Sequence, residues 1–175
     1  MSEKEGPVKI AVIGVGGCGC NAAKMIEEET ITSEESVFKS SSVRIVAANT
    51  DAQVLAQLNE VECMQLGPKL TKGQGAGGNP DCGRDAAIES QVDIYSALEG
   101  NDMVFLTTGM GGGTGTGAAP IVAKAAKEMG ILTVGIVTKP FAFEGKRRMD
   151  QALGGIAELS QYVDSLVIID RKSVV

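Results

Sequence analysis

GMGGGTGTGAAP, residues 109–120, is the stretch on which the reading of this chain turns. Glycine in regular structure costs roughly 0.5–1 kcal/mol of backbone entropy relative to alanine. A run this dense makes physical sense where backbone N–H groups must close on a ligand. Thr114 and Thr116 add hydroxyl donors suited to phosphate oxygens. A flexible linker would be the bland alternative. Against it, DMVFLTT (102–108) abuts the run as a buried strand, and GAAPIVAKAAKEMG (117–130) follows it as an Ala-rich helix stopped at glycine.

Working outward, a second glycine loop stands near the start of the chain. GVGGCGCN (14–21) follows the apolar strand VKIAVIG (8–14) and leads into a helix from about Gly19 to Glu29. It holds G-x-G-x-x-G at Gly14, Gly16 and Gly19, a spacing that lets a turn bring N–H groups and a helix N-terminus onto a phosphate. Alone this fits a dinucleotide-binding Rossmann site, hence an NAD(P)-dependent oxidoreductase. That site wants an acid about 20 residues beyond the glycines. Here the second strand, RIVAANT (44–50), ends in Asn49-Thr50-Asp51, much further on. An oxidoreductase also leaves 109–120 unexplained, whereas two loops facing each other suit a triphosphate. No G-x-x-x-x-G-K-[ST] occurs, so P-loop chemistry is excluded.

The remaining strands are VECMQL (61–66), ILTVGIV (131–137) and DSLVIID (164–170). Helical patterns cover 82–100, with a Gly terminator, and 145–163, where Gly154–Gly155 should weaken it. Asp51 can cap a short helix. Continuous apolar strands alternating with helices predict an α/β, three-layer, Rossmann-like parallel sheet of six strands with helices on both faces. TITSEESVFKSSS (30–42) is polar and reads as a surface loop.

Composition narrows the function. In 175 residues there are 23 glycines, clustered at 14–19, 73–78 and 109–117, and 3% aromatics, so the core must be aliphatic. A net charge of −6 disfavours nucleic acid as a partner. The absence of His removes the commonest general base and metal ligand. Cys18, Cys20, Cys63 and Cys82 form no C-x-x-C pair, as expected of reduced cysteines in a cytoplasmic protein. The uncharged stretch 103–123 is interrupted by glycines and Pro120, so no membrane insertion is expected.

GGGTGTGAAP (111–120) resembles the signature loop of the tubulin/FtsZ family. GVGGCGCN resembles that family's first loop, ANTDAQ (48–53) its second, GQGAGGNP (73–80) its third and TKPFAFEGKRR (138–148) its sugar-contacting loop. The resemblance is to FtsZ rather than to eukaryotic tubulin. It implies one GTP-binding domain over residues 1–175, binding GTP or GDP with Mg²⁺ held mainly by phosphates and water. It places Gly16, Gly17, Cys18, Gly19 and Cys20 along the phosphates and Asn21 at the guanine or ribose edge. It makes Ala76, Gly77, Gly78 and Asn79 the loop that senses the γ-phosphate, and Gly111, Gly112, Gly113, Thr114, Gly115 and Thr116 the loop that clasps the phosphates. Glu144 and Arg148 would hold the ribose and a nearby phosphate, although an i,i+4 ion pair is the plainer reading. Asn79-Pro80 could equally be a simple turn.

The resemblance further implies a filament-forming GTPase of bacterial cell division, self-associating head to tail at the septum, with other division proteins as partners. Each site would be shared between two subunits. The sequence departs from the family in three places. Cys18 and Cys20 replace usual glycines, the 30–42 loop is long, and Arg171 stands where an Asn contacting the base is expected. The central helix, catalytic loop and second domain of the family are not found up to Val175. The expectation is therefore nucleotide binding with no catalytic residue in the chain and little turnover of its own. A non-hydrolysing filament-capping regulator is the alternative.

Overall fold

The computed structural model describes residues 6–32 and 42–171. Six strands, β1 (Lys9–Val15), β2 (Ser42–Asn49), β3 (Glu62–Gln65), β4 (Met103–Gly109), β5 (Leu132–Thr138) and β6 (Ser165–Ile169), form one sheet in the order β3-β2-β1-β4-β5-β6. Every pairing is parallel, with Ile10 beside both Val43 and Met103. The predicted fold class is the one observed. Strand order reverses between β1 and β4, so a crevice opens at their carboxyl ends, where ligands sit in such sheets.

Helices cover both faces: α1 (Gly16–Thr32), α2 (Ala52–Ala56), α3 (Pro68–Thr71), α4 (Pro80–Glu89), α5 (Gln91–Leu98), α6 (Thr114–Glu128) and α7 (Lys146–Ser160). On one face Ala118, Ala119, Val122 and Ala123 of α6 bury against Ile13, Val104 and Leu106. On the other, Cys20 and Ala23 of α1 pack with Val12, Ile45 and Leu55. Small side chains on α6 let it approach the sheet closely, which sets its glycine-rich start beside the end of β1.

Several boundaries differ from the sequence reading. α1 begins at Gly16 and α6 at Thr114, so both helices start inside their glycine loops. The expected single helix over 82–100 starts at Pro80 and breaks at Ser90. There the Ser90 hydroxyl donates to Gln65 O at 3.3 Å and accepts Gly67 N–H at 2.9 Å, bonds the linear pattern does not contain. α7 runs unbroken through Gly154–Gly155. A Cβ at Gly155 would lie 2.6 Å from Thr116 Cγ2, so tight packing on α6 accounts for that glycine. Residues 30–32, read as loop, complete α1. The rest of that loop, 33–41, lies outside the described residues.

Candidate nucleotide site

The two glycine loops meet at the crevice. Gly16 has φ +77°, a left-handed conformation natural to glycine, and a Cβ there would sit 3.1 Å from Gly115 N. Below them the chain is tied by side chains. Thr108 Oγ1 donates to Val15 O at 2.9 Å, bridging β4 to β1. Thr50, fully buried at the end of β2, shares a 2.6 Å hydrogen bond with Thr114 Oγ1 at the first turn of α6.

A cavity of about 280 Å³ opens over this junction. Gly16, Gly17 and Cys18 form one wall, and Gly112, Gly113, Thr114 and Gly115 the other. Glu144 and Arg148 close the far side. The N-termini of α1 and α6 both face the cavity, so two helix dipoles present positive ends to it. Among the described residues three cations, Lys139, Arg148 and Arg171, line it against one carboxylate, Glu144. In a chain of net charge −6, this cavity is locally suited to an anion.

The expected site residues divide into those that line the cavity and those behind it. Gly19 packs under it, since a Cβ there would be 2.6 Å from Thr107 O. Cys20 is fully buried, its thiol donates to Ala48 O at 3.5 Å, and burial pushes its pKa up to about 12. Asn21 is exposed on α1, outside the cavity lining. Thr116, expected among the phosphate contacts, turns inward and accepts Gly111 N–H at 2.8 Å, shaping the loop from within.

Ala76, Gly77, Gly78 and Asn79 do not line the cavity, but Ala76 and Asn79 back its second wall. A Cβ on Gly113 would meet Asn79 N at 2.8 Å and Ala76 Cβ at 2.9 Å. Asn79 also caps α4, its Oδ1 accepting Asp81 N–H at 3.0 Å, with Pro80 as the first helical residue. The plain reading of Asp51 holds: it caps α2 by accepting from Gln53 N–H and Val54 N–H. Glu144 and Arg148 do pair, at 3.7 Å, yet both line the cavity, so neither earlier reading excludes the other. Glu144 also accepts Phe141 N–H at 2.5 Å, which fixes the loop after β5.

Gly109, Met110, Thr138, Lys139 and Pro140 also line the cavity. They lie within the ligand loops read at 109–120 and 138–148, though not among the individually named site residues; their position at the ends of β4 and β5 was the available signal. Among the described residues, no group of three His, Cys, Asp or Glu could hold a metal ion. No helix there is long and apolar enough to cross a membrane.

The model of the Tubulin/FtsZ family, GTPase domain, matches residues 9–175. The chain is 53% identical to the Cell division protein FtsZ of Haemophilus influenzae, across 94% of this chain and 42% of that protein. It is 55% identical to that of Coxiella burnetii, across 92% and 39%. It thus spans about two fifths of the length of these relatives. Among solved structures, an empty FtsZ dimer of M. jannaschii superposes with a TM-score of 0.86 at 45% identity, over 95% of this chain and 46% of that one. A GTPgS-bound protofilament of CetZ2 from Haloferax volcanii gives 0.79 at 27% identity, over 95% and 51%.

Proposed function

The chain belongs to the tubulin/FtsZ family, and from that premise we propose that residues 1–175 form its GTP-binding domain, holding GTP or GDP in the cavity between the two glycine loops. The observation that carries this reading is the convergence of Gly16 on Gly115 beneath a cavity ringed by two helix N-termini and three cations. A triphosphate needs donors on more than one side, and backbone N–H groups at 16–18 and 112–115 stand on two. The oxidoreductase alternative is not favoured, because it assigns no ligand to the second loop.

The residues present fit Mg²⁺ only as a partner of bound phosphates and water, since they supply no carboxylate cage. The ion would neutralise phosphate charge; the protein would contribute positioning. Thr114 would donate to a phosphate oxygen. Arg148, oriented by Glu144, would face the ribose side. Among the described residues Glu144 is the one carboxylate lining the cavity, and it is engaged with Arg148 and Phe141 N–H. Orientation of an attacking water would therefore fall to a group from a neighbouring copy. Head-to-tail contacts of this kind do not close and give filaments. The proposed setting is bacterial cell division, with assembly at the septum and Mg²⁺-GTP as substrate.

The test is calorimetric titration of the chain with GTP, GDP, ATP and NADH in Mg²⁺ buffer. Binding confined to guanine nucleotides is the expected result. NADH binding without a response to GTP would replace this reading with the oxidoreductase one.

A further inference from the structure

We propose that Arg171 is a phosphate-binding residue of this cavity, an inference that rests on the nucleotide reading above. Arg171 follows β6 at the edge of the sheet, two strands from β4, yet its guanidinium reaches back into the crevice. Nη2 lies 3.0 Å from Cys18 Sγ, and the guanidinium carbon sits 5.6 Å above the Phe141 ring. Phe141 is in turn stacked on Phe143 at 5.0 Å. The planar cation is thus held from below by a sulfur and from the side by an aromatic face.

Cys18 belongs to the first wall of the site. A Cβ on Gly109 would meet Cys18 Cβ at 2.7 Å, and Thr138 Oγ1 is 3.8 Å from its sulfur. The guanidinium therefore stands in the first turn of α1, where the helix dipole already presents positive charge. Among the described residues it makes no salt bridge, whereas Arg148 is partly neutralised by Glu144. With no ion-pair partner among the described residues, a cation at a positive helix end gains from an anion bound beside both. A thiol is a weak acceptor and occupies one of five N–H donors, so the rest stay available. Phosphate oxygens satisfy that fork in pairs. A neutral purine would relieve none of the charge, which favours the phosphates over the base as the contact.

The experiment compares the full chain with Arg171→Ala and Arg171→Lys, measuring GDP and GTP binding across a KCl series. Circular dichroism melting checks that each variant folds. The expected result for Arg171→Ala is a loss of about tenfold or more in affinity, the size of one charge-assisted hydrogen bond. Its affinity should also fall less steeply with salt, since one screened attraction is gone. Arg171→Lys should keep the steeper salt dependence and most of the affinity. Unchanged affinity in Arg171→Ala would overturn the assignment. So would a loss with an unaltered salt slope, which would mark a contact to the base. If the unchanged chain binds no guanine nucleotide, the site reading itself fails, a result distinct from either.

Discussion

Gly117 and Pro80 meet backbone to backbone: a Cβ built on Gly117 would lie 1.9 Å from the Pro80 carbonyl oxygen. A second such contact, Gly83 against Gly113 O at 2.3 Å, lies beside it. Together they dock the start of α4 onto the start of α6. The 73–79 loop is thereby pressed against the second wall of the cavity. Loop position in this site is set by glycines that face no ligand at all.

Gly117→Ala should therefore destabilise the protein despite alanine's better helix propensity. No side chain can move aside for the new methyl, since its neighbours are backbone. The expected loss is about 2–3 kcal/mol in urea unfolding, with weaker nucleotide binding as the loops separate. Stability equal to the parent would refute the interlock.

Gly154→Ala should act in the opposite direction. Nothing lies within 4 Å of a Cβ there, and the residue is inside α7. A gain of about 0.5–1 kcal/mol is expected from helix propensity and the stiffer unfolded chain.

Thr114→Val removes the hydroxyl that bonds Thr50 and faces the cavity. Thr50 would be left buried without that partner, at a cost of about 1–3 kcal/mol. Converting both threonines to valine should recover much of the stability. GTP affinity should stay about tenfold or more below the parent in both proteins. If the double variant regains binding as well, Thr114 contributes only to the fold.

Cys18 and Cys20 should differ sharply toward a thiol-alkylating reagent near pH 8. Cys18 lines the cavity, whereas burial holds Cys20 as a thiol with a pKa near 12. Peptide mass spectrometry should find Cys18 modified and Cys20 intact, with GDP slowing only the Cys18 reaction among this pair. Labelling of Cys18 at the same rate with saturating GDP would place the nucleotide elsewhere.

Glu62 should give the protein part of its acid sensitivity. Arg44 Nε donates to Glu62 at 2.7 Å, and this hydrogen bond holds the Glu62 carboxyl below its ordinary range. The ionised form thus favours the fold. Its contribution is complete above the ordinary carboxylate range and disappears as pH falls through the lowered value. The pair is nearly half exposed, so Glu62→Gln should cost at most about 1 kcal/mol at pH 7. That difference should shrink as pH falls through the lowered Glu62 value and vanish once the carboxyl is protonated in both states, as read by urea unfolding across pH.

Much of the cavity was visible in the linear pattern. A strand, a glycine run and a helix in succession is a local arrangement, and both glycine-rich walls of the cavity carry it. What remained hidden depended on contacts between distant segments. Ser90 stands at a helix break, where its hydroxyl donates to Gln65 O and accepts Gly67 N–H at the same time. Thr116 and Cys20 lie outside the cavity lining because Gly111 N–H and the α1–sheet interface claim them. Gly155 reads as a helix weakness only until α6 is known to pass over it.

The sequence by itself determined the parallel α/β fold and the two glycine loops, because apolar strand periodicity and glycine's backbone freedom act within a few residues. Only the tertiary structure decided which loop residues face the cavity and that Arg171 reaches Cys18, 153 positions away. The reason is steric and electrostatic: helix docking on the sheet fixes which atoms have room to meet. No local preference encodes a contact whose partners are joined only by the whole fold.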